Sequence, residues 1–139
     1  MARIIYTESP GKTRHHYRRS VAEMLRRLTQ KKRIDEEARD QAALIVLCLQ
    51  GMADTVDQTV TAWEKRDYWM KAEHFRRDWE WLDPMADQLA AVICQGEWQK
   101  LPTLLASLAP YFSDISVKRM TRDATLWEGA YERLLGGGK

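Results

Sequence analysis

Residues 35–82 read DEEARDQAALIVLCLQGMADTVDQTVTAWEKRDYWMKAEHFRRDWEWL, and the fold follows from how this stretch is parsed. Ala38, Ala42, Ile45, Leu49, Met52, Val56, Val60 and Trp63 recur at the spacing of one helical face. Every position from 42 to 49 is apolar, which predicts a helix buried on all sides there. Asp35 is a good N-cap, and Glu36 and Glu37 put negative charge in the first turn, where the helix dipole favours it. Gly51 costs about 1 kcal/mol in a helix interior, but the stripe keeps its phase on both sides, so no break is expected. After Trp63 the stripe becomes Tyr68, Ala72, Phe75, Trp79 and Leu82, rotated by roughly a third of a turn at about 100° per residue. This predicts a kink or break near Lys65, Arg66 and Asp67, with Asp67 capping a new helix. The alternative is a straight helix whose faces are covered by different partners.

Upstream, Tyr17, Val21, Met24, Leu25 and Leu28 share one face of a helix expected from near Thr13 to near Arg33, after a turn at Ser9-Pro10-Gly11. Lys31, Lys32 and Arg33 suit its C-terminal end. Ile34 and Asp35 leave almost no loop, so the two helices should be antiparallel neighbours, with the acidic start of the second near the basic end of the first.

Downstream, Asp83-Pro84 reads as N-cap and first residue of a helix lined by Met85, Leu89, Val92 and Ile93 and stopped by Gly96. Trp98, Leu101, Leu105, Leu108 and Phe112 follow, with a loose turn before Pro102 and an end at Pro110. A last helix capped by Ser113 or Ser116 should bury Val117, Met120, Ala124, Trp127, Tyr131 and Leu134 and stop at Gly136. No apolar–polar alternation and no Asn-Gly or Asp-Gly hairpin signal is present. The reading is all-α: a compact bundle of about five helices in a single domain, 1–139, with 1–12 and 136–139 flexible.

At 139 residues, 45% hydrophobic and 30% charged, the chain can bury a core without metal or disulfide support. Cys48 and Cys94 lie in separate apolar stretches with no CxxC pair, and both are expected to be reduced and buried. The N-terminus lacks the apolar segment of a signal peptide. The apolar run at 42–49 is far short of the ~20 residues of a membrane span. A cytoplasmic location is the expectation.

Net charge is +2 but unevenly placed: residues 1–33 hold ten Lys/Arg against Glu8 and Glu23, a net of +8, leaving −6 for the remainder. The basic residues Arg14, Arg18, Arg19, Arg26, Arg27, Lys31 and Lys32 are candidates for phosphate contacts with nucleic acid; an anionic membrane surface is another possible partner. The plainer reading is a solvated basic helix, or one paired with the acidic remainder.

No catalytic motif is present. Glu-x-x-His, His-Glu-x-x-His, Gly-x-Ser-x-Gly and the phosphate-binding glycine loop are all missing, and no cofactor is implied. His74, beside Glu73 and four residues before Asp78, is the one position around which a ligand-binding or catalytic bundle would be built, although a surface histidine among carboxylates is the simpler account. The six tryptophans are a stronger feature. Trp69, Trp79 and Trp81, with Tyr68 and Phe75, lie among Glu64, Asp67, Glu73, Asp78, Glu80 and Asp83. Such a set suits a cation cage or a protein-binding hot spot, unless the rings simply fill helix crossings. Trp69 and Trp81 fall off the stripe through Phe75. The expectation is therefore a non-enzymatic protein acting through protein–protein contacts, including self-association, with Tyr68, Trp69, Glu73 and Trp81 as the candidate surface.

Overall fold

The computed structural model describes residues 9–136, and these contain helices and no strand. Five helices of eight residues or more pack compactly: α1 (Pro10–Thr29), α2 (Glu36–Lys65), α3 (Trp69–Asp78), α4 (Leu82–Cys94) and α5 (Leu101–Leu108). Two short helices close the chain, α6 (Ala124–Trp127) and α7 (Ala130–Leu135).

The stripe on α2 is the core. Ala38, Ala42, Ile45, Leu49, Met52, Val56 and Val60 are all buried, and between 42 and 49 only Leu47 is partly exposed. Asp35 caps the helix through a bond from the Ala38 N–H to its carboxylate (2.8 Å). Gly51 does not interrupt it. A Cβ there would lie 2.5 Å from the Tyr17 ring, so the glycine is what lets α1 approach closely. The pairings of Arg14 with Thr55, Tyr17 with Gly51 and Arg27 with Glu37 run in opposite chain directions, so α1 and α2 are antiparallel. The basic end of α1 does meet the acidic start of α2: Lys31 lies 2.9 Å from Asp35 and 2.7 Å from Glu37, and Arg27 lies 3.1 Å from Glu37.

Several expected boundaries move. α1 starts at Pro10, because Ser9 is its N-cap, accepting from the Lys12 N–H, and Pro10 takes the first helical position. Pro10 to Lys12 are thus helical, and Gly136 is the C-cap of α7; the remaining residues expected to be flexible, 1–8 and 137–139, lie outside the described residues. α1 ends at Thr29, and residues 30–35 form a loop longer than Ile34-Asp35 had suggested. α4 begins at Leu82, so Asp83 and Pro84 occupy its first turn and Trp81 holds the cap position.

The break at residues 65–67 is present, by a different device from the one expected. α2 ends with Tyr68 N–H bonding to the Trp63 carbonyl (2.9 Å) and Asp67 N–H to the Glu64 carbonyl (3.0 Å), the Schellman pattern. Asp67 occupies the left-handed position of that motif (φ 63°), where glycine is usual, and does not cap α3. The same pattern ends α4, with glycine at Gly96 (φ 70°) and Glu97 N–H on the Val92 carbonyl (2.9 Å). Between these two ends, α3 and α4 form one rod bent by 30°.

The single last helix expected from residue 113 is not formed. Residues 113–123 run as an irregular strap, and helix resumes only at Ala124 behind the Asp123 cap. Gly129 (φ 80°) then separates α6 from α7. Of the expected stripe only Trp127 is buried outright, while Ala124 is exposed. The strap stays irregular because α1 supplies its hydrogen-bond partners. Arg18 binds the Tyr111 carbonyl just ahead of the strap and the Asp114 carboxylate within it, and Arg19 binds the carbonyls of Ser116 and Arg119. Glu23 takes the backbone N–H groups of Thr121 and Arg122. Asp40 on α2 likewise accepts from Gly129 and Tyr131 N–H, capping α7 from across the fold because Gly129 has no side chain to do so. Both cysteines are free, but only Cys48 is buried; Cys94, at the end of α4, is exposed and not a core residue.

Candidate functional site

The expected phosphate-binding cations are mostly turned inward. Arg14 donates to Thr55 (3.1 Å) and Thr59 (3.4 Å) on α2, with its guanidinium over the rings of Phe75 (4.9 Å) and Trp79 (5.6 Å). Arg18 forms a two-pronged pair with Asp114 (2.7 and 3.0 Å), which holds that carboxyl below its usual range. Arg19 pairs with Glu23 (2.7 Å), while Arg27 and Lys31 bind the start of α2. Arg14, Arg26 and Lys32 are the members of that set with no ion pair among the described residues, and of these Arg14 is held by its threonine and ring contacts.

Glu23 is the residue that sequence reasoning passed over. Its side chain is 0% exposed. Beyond Arg19, it accepts from the Thr121 N–H (2.8 Å), the Thr121 hydroxyl and the Arg122 N–H (2.9 Å). Burial pushes its pKa up, but the bonds from Thr121, Arg19 and Arg122 outweigh that and bring it down to about 2. Arg122 completes the cluster by donating to Ser20 (3.0 Å) and the His16 carbonyl (3.1 Å). The bonds from Thr121 and Arg122 tie Glu23 on α1 to the strap, so the cluster is a structural clamp. Its sequence signal was a lone acid in a run of basic residues, which identifies no partner 98 residues away.

The predicted aromatic surface splits in two. Trp81 is half-buried, stacked face to face on Tyr111 (3.9 Å) and lying beside Trp79 (6.1 Å). It belongs to a ladder from Trp63 through Phe75 and Trp79 that covers α1 and the turn at residues 109–112. Glu73 is exposed but engaged by Arg76 (2.8 Å) and Arg77 (3.3 Å) on its own helix. Tyr68 and Trp69 instead stand out at the corner between α2 and α3, 46% and 59% exposed, with Met70 beside them at 79%. Arg66 lies over the Tyr68 ring (5.3 Å), and Lys71 over Trp63 (4.8 Å) and Tyr68 (6.0 Å). Asp67, Tyr68, Trp69, Met70 and Lys71 line an open depression. Met70 was missing from the sequence reading because a single exposed methionine has no periodic signature.

His74 is exposed on α3. Among the described residues no three His, Cys, Asp or Glu side chains are grouped to hold a metal ion. Cys48 lines a cavity of about 580 Å³ with Ser20, Arg122 and Arg133, but burial pushes its thiol up to about 12, so it is no nucleophile at neutral pH. No helix among the described residues is long and apolar enough to cross a membrane. Compared with protein-family models, curated proteins and solved structures, the chain matches none.

Proposed function

We propose that this protein is non-enzymatic and acts through protein–protein contacts made at the α2–α3 corner, with a second copy of the chain as the first partner to consider. One observation carries the reading: Tyr68, Trp69 and Met70 are consecutive, large, apolar and exposed, at a corner the Schellman turn holds in place. Tryptophan and tyrosine at such positions supply most of the energy of typical interfaces, and methionine adapts to varied partners. The rim carries both signs of charge, Arg66 and Lys71 with Asp67 and Glu73, so the surface can pair with itself across a two-fold axis. Nucleic-acid binding through α1 has less support, because Arg14, Arg18, Arg19, Arg27 and Lys31 already have partners within the fold.

Light scattering across a concentration series tests this. The native chain should exceed its monomer mass of 16.3 kDa, and the double variant Trp69→Ser/Met70→Ser should return to it with its helical circular dichroism unchanged. A native chain that stays at monomer mass at the highest attainable concentration sinks self-association, and a variant that associates as well as the native chain moves the contact away from this corner.

A further inference from the structure

A second concave surface lies at the opposite chain end of α1, and the corner proposed above has no part in it. The end of α1, the loop at residues 30–35 and α5 enclose a groove of about 440 Å³. Leu25, Leu28, Leu101 and Leu105 form its floor and are all buried, and Ile34 and Trp98 stand at its sides. Tyr131 packs against Trp98 (5.8 Å) and holds that ring in place. The charged side chains lining the groove are Lys31, Lys32 and Arg33, all cationic, with no carboxylate among them. Lys31 is bound by Asp35 and Glu37. Lys32 and Arg33 are exposed and make no ion pair among the described residues.

An apolar slot with two unneutralised cations on one rim is complementary to a molecule with one apolar tail and one anionic head. The enclosed volume falls within the range of about 300–1,000 Å³ typical of small-molecule sites. Its walls are only the last turns of α1, one loop and the eight-residue α5, so it suits a single chain better than a docked helix. Its apolar atoms line a concavity instead of projecting outward, so they meet a monomeric ligand and not a bilayer. We propose that this groove binds a free single-chain carboxylate amphiphile, a fatty acid, with the tail against Leu25, Leu28, Leu101 and Leu105 and the carboxylate at Lys32 and Arg33.

Isothermal titration calorimetry of the full chain with dodecanoate, below its micelle-forming concentration, tests the assignment. Dodecanoate should bind one per chain, whereas butanoate (the head without the tail) and dodecyltrimethylammonium (the tail with the opposite head) should not. Lys32→Glu/Arg33→Glu, at exposed loop positions, should weaken dodecanoate about tenfold or more and gain affinity for dodecyltrimethylammonium, a gain that misfolding would not produce. Ala106→Trp, on the exposed side of α5 and lining the groove, should abolish binding of either. The proposal is overturned if dodecanoate fails to bind, if the two head groups bind the native chain equally, or if charge reversal leaves dodecanoate affinity unchanged. Binding to phosphatidylglycerol vesicles without binding of dodecanoate would also overturn it, because the recognised anion would then be a membrane surface.

Discussion

Along α1, Arg14, Arg18, Arg19 and Arg27 each reach a partner within the molecule, whereas at the α2–α3 corner Tyr68, Trp69 and Met70 stand in solvent. Both regions carry residue types common at binding surfaces, and the fold uses them in opposite ways. A guanidinium that satisfies irregular backbone stabilises the fold and is no longer free for a phosphate. An exposed aromatic does nothing for the isolated fold, and its apolar surface stays in contact with water until something covers it. Residue type alone therefore says little about a surface; what matters is whether the fold has already partnered it.

The comparison breaks most sharply at Glu23. Glu23→Ala removes the carboxylate partner of Arg19 and leaves the Thr121 and Arg122 amides without their acceptor, and should cost about 3–5 kcal/mol in urea unfolding. The same group sets a pH dependence. Its folded pKa of about 2 lies below the ordinary 4.5, so its contribution is full above pH 4.5 and disappears as pH falls towards 2. At about 1.4 kcal/mol per unit this reaches about 3 kcal/mol, and screening on the exposed Thr121 side reduces it to about 2 kcal/mol. Asp35, Glu37 and Asp114 are lowered too and act in the same direction. The Glu23 share is thus the difference in acid unfolding between the native chain and Glu23→Gln, and parallel curves would disprove it.

Gly51→Ala tests how α1 is held. Its Cβ would meet the Tyr17 ring, so about 1–3 kcal/mol of stability should be lost on thermal unfolding. The corner should behave in the opposite manner. Asp67→Gly removes a side chain from a left-handed position and should gain about 0.5–1 kcal/mol by chemical denaturation. Trp69→Ser should change stability by no more than about 0.5 kcal/mol. A large loss there would mean that Trp69 supports the fold and is not a free surface.

The long helix, its cap at Asp35, its passage through Gly51 and the antiparallel pairing with α1 were all legible, because each is local or follows from a short connection. The break after Lys65 was legible from the turn in the stripe, although Asp67 produces it as a left-handed residue and not as a cap. At the candidate surface, spacing put Trp69 and Trp81 in the same class, and it had no means of seeing that Tyr111 stacks on one while the other is left largely exposed.

Sequence alone determined the helical class, the buried face of α2 and the helix ends that side chains within a few residues set. Tertiary structure decided what the charges do and where the C-terminal part stops being helical. Val117, Met120 and Ala124 have helical spacing, but Arg19 and Glu23 offer the strap's backbone partners that compete with helix formation. Such bonds join residues about a hundred positions apart, and no local pattern encodes them.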